Sequence, residues 1–323
     1  MRNVRRSIVV IVCLSVGGAV LVEGCGPFQR GPAHGRGDAD VRTDEAPSPA
    51  PKTPTVSPEP LPASGSFLPE PDRGIPASAP AIASEVARTT RALRRSIRAW
   101  IRTGDLSRPS PRAVVLEALY QQRIYRVLGR AHDLARRVVS RLPEGIASEV
   151  RINVSAMADL FSIVAPVRRP RVPLRTQAPL PAGTLAADYR EAQDRFGVSW
   201  AVLAAVNFVE SKFGRVRTAS PAGARGPMQF LPSTWAAYGL GGDIDDPRDA
   251  IMGAANYLRA SGAPDSYRRA LYAYNHSVPY VNAVLAYAHQ MQRHPETFLE
   301  YYNWQVFAVT PSGDRRLTGP GLG

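Results

Sequence analysis

Thirteen of the 55 residues from Gly26 to Pro80 are prolines, and runs such as residues 46–54 carry neither helical nor alternating apolar spacing. A segment of this kind cannot bury enough apolar surface to offset its ordering entropy. Residues 25–80 are therefore expected to form a disordered, extended tether, reaching on the order of 100 Å at a polyproline rise of about 3.1 Å per residue. A passive spacer is the simpler reading of such a segment than a docking motif. Folding is left to the residues from Ala81 onward, which is ample for a sizeable core. A hydrophobic content of 44% excludes a multi-span membrane protein. Cys13 and Cys25 are the only cysteines, so no disulfide scaffold or cysteine-ligated zinc site can exist beyond residue 25.

At the N-terminus, Arg2, Arg5 and Arg6 precede an uncharged apolar run from Ser7 to Val22. That order of charge and apolarity is the signature of a secretory signal, assigned here to residues 1–24. The run ends in Val22-Glu23-Gly24-Cys25, which resembles a bacterial lipobox apart from the charged Glu23. The resemblance implies lipidation of Cys25 and anchoring by buried acyl chains. An exported protein on the outer face of the cell membrane, in the periplasmic or cell-wall space, is expected.

Nearly all of the net charge of +13 lies in residues 81–180, with 19 basic and 7 acidic side chains. Only two of the 40 basic residues are lysines, a bias that coding preference explains as readily as selection for a polyanion. Residues 81–165 read as wholly helical. Val86, Leu93, Ile97 and Ile101 mark one amphipathic face, Ser110-Pro111 reads as a helix start, and Val114 to Leu128 trace a second face that includes Val127. Further helices are expected over 130–142 and 147–165. The arginine face could meet anionic lipids or wall polymers, although a solvated face is the plainer reading. Trp100, Tyr120 and Tyr125 are too few and irregular for a nucleic-acid stacking platform. Residues 166–183, with five prolines, read as a linker.

Residues 184–295 form the next module. One helix should span 184–196 and close at Gly197; a second, apolar and buried, should be capped by Ser199 and terminated at Gly214. Glu210 stands near the end of that second helix. A carboxyl held against apolar walls has its charged form disfavoured and can act as a general acid near neutrality. Taken alone, a glutamate at a helix end is more often a solvated surface group.

Its neighbourhood alters that balance. Residues 210–214 (Glu-Ser-Lys-Phe-Gly), 226–235 (Gly-Pro-Met-Gln-Phe-Leu-Pro-Ser-Thr-Trp), 246–251 with 256–258, and 273–277 (Ala-Tyr-Asn-His-Ser) resemble the ordered motifs of the lysozyme-like lytic murein transglycosylases, the SLT group, and within it the B-type membrane-bound members. The resemblance implies a mainly α fold: a lysozyme-like α+β catalytic domain over 184–295, preceded by a helical region and a disordered proline-rich tether. It implies Glu210 as the sole catalytic acid/base, with Ser211, Met228, Gln229, Tyr274 and Asn275 binding or positioning substrate. No cofactor is expected; B-type members carry a calcium loop near residues 243–249, but the residues here are not read as a metal site. Glycoside hydrolysis ordinarily needs two carboxyl groups, and no second one falls in a matching motif. The implied reaction is non-hydrolytic cleavage of the MurNAc–GlcNAc bond of peptidoglycan, leaving 1,6-anhydromuramoyl ends.

Two other readings are kept. A hydrolytic muramidase could use Asp243, Asp245 or Asp246, or a bound water, in place of the internal nucleophile, and a non-catalytic wall-binding lipoprotein would have a vestigial cleft. Asp243 to Asp249 lack the glycine and terminal glutamate of an EF-hand loop, so Asp246-Pro247 is read as a helix cap. His276 is read as structural. Residues 296–323 are expected to add an aromatic strand and turn, including Tyr301 and Tyr302.

Overall fold

The computed structural model describes residues 68–164, 166 and 174–322. The signal sequence, Cys25 and most of the tether lie outside the described residues. From Leu68 the chain already lies on the folded unit: Arg123 donates to the carbonyls of Pro71 and Arg73 at 3.0 and 2.8 Å, and Arg73 pairs with Glu85. Those contacts precede residue 80, where the tether was expected to end.

Four helices follow: α1 (Ala79–Arg102), α2 (Arg112–Leu128), α3 (His132–Val139) and α4 (Glu144–Ile163). Helix α1 starts where the Ser78 hydroxyl accepts from the Ala81 amide and Pro80 occupies the first turn. It buries Ile82, Val86, Leu93, Ile97 and Trp100, while Arg88, Arg91, Arg95, Arg98 and Arg102 face solvent. Ile101, expected on the apolar face, is exposed, because Trp100 takes the inward position. Val127 of α2 is likewise exposed. At the start of α2 Pro111, not Ser110, occupies the cap position, and no side chain caps it.

The second half of the chain contributes α5 (Ala182–Phe196), α6 (Trp200–Ser211), α7 (Pro232–Tyr238), α8 (Pro247–Ala260), α9 (Tyr267–Tyr274), α10 (Val278–Arg293) and α11 (Thr297–Tyr302). Gly197, at φ +68°, ends α5 in the left-handed conformation. The hairpin of β1 (Phe307–Thr310) and β2 (Gly313–Arg316) pairs Phe307 with Arg316 in antiparallel register. Tyr301 and Tyr302, expected in a strand, are helical instead. Both are buried with Trp304, and the strand begins only at Phe307.

The fold is mainly helical, and one core runs through the described residues. Helix α10 packs on both α4 and α6, so the basic helical region and the module after it share one compact unit. Phe208 of α6 stacks on Tyr301 at 5.1 Å and meets Tyr287 of α10 edge-on at 4.8 Å. Tyr125 of α2 reaches the same cluster through Trp304 at 5.8 Å. Buried Gln122 and Gln305 exchange two hydrogen bonds of 2.9 and 2.8 Å. The stretch expected as a linker is also tied down, for Thr176 bridges Val216 and the Gln177 amide donates to the Arg215 carbonyl.

The hairpin is pinned to α2 by Asp314, which accepts from both Arg126 and Arg130 at 2.7–3.0 Å. Burial pushes the Asp314 carboxyl up, but the two guanidiniums outweigh it and hold the group below its usual range. Asp314→Ala would leave Arg126 buried without its anion. A loss of about 3–5 kcal/mol is expected in urea denaturation at neutral pH. In the wild type this contribution should fade as pH falls through the depressed folded-state pKa of Asp314.

Candidate active site

Helix α6 is largely apolar and buried on all sides, with every residue from Ala201 to Ser211 out of solvent. Ser199 stands at its cap position, but the hydroxyl does not cap; the Trp200 amide donates instead to Gln193 Oε1 at 2.9 Å. Termination also differs from expectation. Lys212 (φ +54°) and Phe213 (φ +60°) turn left-handed before Gly214 is reached, and Lys212 Nζ caps the Phe208 carbonyl at 2.9 Å. Two consecutive non-glycine residues in this region are costly and persist only where the surroundings fix them. Here the Phe213 ring is buried against Phe298 and Tyr302, which holds the turn.

This turn sets Glu210 inside the protein, at 1% exposure. Its Oε1 accepts a 2.8 Å hydrogen bond from the Tyr280 hydroxyl. Burial pushes the carboxyl up to about 8, against the opposing effects of the Tyr280 hydrogen bond and the Lys212 charge. At neutral pH the group holds its proton in an apolar setting, the state required of a general acid.

Ser211 is fully buried; its hydroxyl donates to the Pro227 carbonyl and accepts from the Gly214 amide at 2.8 Å. It therefore ties the end of α6 to the loop 225–230. That loop closes on itself, with Arg225 and Phe230 exchanging backbone bonds of 2.8 and 2.9 Å. Gln229 sits at φ +50° and donates from its side chain to the Gly226 carbonyl at 2.9 Å. Gly226 lies against the next loop, where a Cβ would stand 1.8 Å from the Ile244 carbonyl oxygen. Met228 is buried, and its carbonyl accepts from the Tyr274 hydroxyl at 2.6 Å. Asn275, fully buried, ends α9.

The structure thus brings Ser211, Met228, Gln229 and Tyr274 together around the end of α6. The buried ring of Phe230 and the half-buried rings of Trp235, Tyr257 and Tyr274 extend from there as an aromatic wall with centroid spacings of 5.2–6.5 Å. His276 is exposed and meets Tyr272 edge-on at 5.3 Å.

Tyr280 was missed by the reading of the sequence. The available signal was Ser277 followed by Pro279, a helix start that places residue 280 in a first turn; the Ser277 hydroxyl does accept from the Tyr280 amide. Because the Tyr280 hydrogen bond favours the charged carboxylate, Tyr280→Phe should raise the pKa of Glu210 further. A shift of the basic limb of the pH–rate profile to higher pH, with roughly a 3- to 10-fold loss of rate, is the expected outcome.

The aspartates near 246 serve local structure. Asp246 caps α8 by accepting from the Asp249 amide at 2.9 Å, Asp249 accepts from the Asp243 amide, Asp243 from that of Asp245, and Asp245 pairs with Arg225 at 2.7 Å. Among the described residues no group of three or more acidic, histidine or cysteine side chains is placed to hold a metal ion.

Residues 189–294 match the family described as the Transglycosylase SLT domain. A 95-residue stretch is 36% identical to the membrane-bound lytic murein transglycosylase F of Thiobacillus denitrificans, covering 27% of this chain and 20% of that protein. A 70-residue stretch is 35% identical to the membrane-bound lytic murein transglycosylase F 1 of Alkalilimnicola ehrlichii, covering 22% and 14%. The chain spans no more than a fifth of the length of these curated relatives. Both carry the F designation, so the narrower B-type likeness gains no support from them. No solved structure matches the chain. The SLT match holds Glu210, Tyr280 and the loop 225–230, whereas α1 to α4 and the terminal hairpin lie outside it.

Proposed function

We propose that this protein is a peptidoglycan lytic transglycosylase that cleaves the MurNAc–GlcNAc bond and leaves 1,6-anhydromuramoyl ends. The observation that carries the reading is Glu210: a buried carboxyl with its pKa pushed up to about 8, in a segment that matches the SLT domain. The protonated carboxyl gives its proton to the glycosidic oxygen as the bond to the muramoyl anomeric carbon breaks. The carboxylate so formed takes the proton of the muramoyl 6-hydroxyl, whose oxygen closes on that carbon. One group serves as acid and then as base, and no water is consumed. At 1% exposure Glu210 is covered, so binding a glycan has to displace the side chains over it.

The involvement of Asp243, Asp245 and Asp246 in backbone caps and an ion pair favours this route over one with a second, hydrolytic carboxylate. Met228, Gln229, Tyr274 and Asn275 line or brace the glycan site, and Ser211 holds the loop in place. Export and lipidation at Cys25 complete the proposal. Retention in the membrane fraction of a Cys25→Ser variant would remove the anchor from it.

The test is mass spectrometry of muropeptides released from purified peptidoglycan by the full chain. Anhydromuramoyl products support the reading. Reducing-end products, heavier by one water, would reassign the protein as a hydrolase, and no release would leave wall binding as the better account.

A further inference from the structure

An open groove of about 650 Å³ lies between the α1–α2 loop at Ser107–Ser110, the segment 176–181, the end of α11 and the C-terminal residues 317–322. None of Glu210, Ser211, Met228, Gln229 and Tyr274 lines it. Its volume falls within the roughly 300–1,000 Å³ typical of sites for small organic ligands.

Arg215 lines this groove while being only 6% exposed. Its Nη1 donates to the Lys212 carbonyl at 3.1 Å, and its guanidinium lies 5.2 Å from the centroid of the Tyr302 ring. No ion pair among the described residues includes it. Arg126, equally buried, has the Asp314 carboxylate; among the described residues Arg215 has no counterpart. Burial pushes the Arg215 guanidinium down to about 10, with only the Tyr302 hydroxyl acting in the opposite direction. A buried cation without an anion is costly, and a guanidinium fork matches a carboxylate in both charge and shape.

We infer that this groove binds a small organic monocarboxylate, such as the C-terminus of a short apolar peptide, with its carboxylate on Arg215. One buried guanidinium neutralises one carboxylate charge, whereas a phosphate dianion would keep an unbalanced charge. Arg108 does not alter this count, because it is largely exposed and already paired with Asp105. Val115, Pro179, Leu317 and Leu322 supply apolar walls for the body of the ligand.

The probes are acetyl-trialanine as free acid, the same peptide as C-terminal amide, and inorganic phosphate, each titrated into the full chain by calorimetry and thermal melting. The acid is expected to bind and raise the melting temperature, with the amide at least about tenfold weaker. Arg215→Met should lose the acid-over-amide preference, and without ligand it should melt no lower than the wild type, since it removes an unbalanced buried charge. Should that variant fail to fold, Ser110→Trp, which puts a large ring on the groove lining, should abolish binding of the acid. Equal binding of acid and amide, binding of neither, binding of phosphate in place of the peptide, or undiminished binding in Ser110→Trp would overturn the inference. None of these readouts uses glycan cleavage, so the proposed transglycosylase activity and this site can fail independently.

Discussion

Glu210→Gln should keep the fold and lose the proposed activity on peptidoglycan by about 10²- to 10⁴-fold, the range that general acid–base catalysis contributes. Glutamine is isosteric with the protonated carboxyl that burial favours at neutral pH, and it can still accept from Tyr280. The wild-type rate should fall as pH rises through about 8, where the Glu210 proton is lost. Stability should follow the same group. With a folded-state pKa of about 8 against an ordinary 4.5, the native state holds the proton more tightly than the unfolded chain. Stability is therefore full below about pH 4.5 and declines as pH rises towards 8, by a ceiling of about 5 kcal/mol. Glu210→Gln should lack this slope and be the more stable protein above pH 8. Equal pH slopes in urea titrations of the two proteins would show that the carboxyl is not held in this way.

Gly226→Ala should be the most damaging small substitution in the site. The new Cβ would stand 1.8 Å from the Ile244 carbonyl oxygen, backbone against backbone, at a φ of +74°. Neither partner can rotate away, so the loop 225–230 must separate from the loop before α8. The Arg225–Asp245 ion pair joins the same two segments, and the Pro227 carbonyl anchors Ser211. A loss on the order of 3 kcal/mol or more is expected in chemical denaturation, with activity lost as Met228 and Gln229 shift. A variant with wild-type stability and activity would mean that the contact between the two loops is not needed to hold the site.

Much of the fold was legible in local patterns, because helices announce themselves through nearest neighbours. The apolar spacing from Val86 to Ile97, Gly197 as a stop, and Asp246-Pro247 as a start are short-range signals, and each has its counterpart in the structure. Tyr301 and Tyr302 were harder, since aromatic residues suit a strand and a buried helix alike. The turn after α6 is placed at Gly214 by local preference, because glycine tolerates positive φ most cheaply. It falls instead on Lys212 and Phe213, where burial of the Phe213 ring outweighs local preference.

The ordered motifs around Glu210 placed a glutamate beside the residues that surround it, and sequence alone determined that much. Tertiary structure decided the chemical state of that glutamate. Burial depends on what packs over α6, and the Tyr280 hydroxyl arrives from 70 residues further along the chain. The joining of the basic helical region to the rest was decided in the same way, by α10 lying against both α4 and α6. Arg215 reads in sequence as one arginine among many; its burial without a carboxylate among the described residues is a property of the segments folded around it. Local spacing fixes which residues are helical, whereas a dielectric environment is the sum of contacts from elements far apart in the chain.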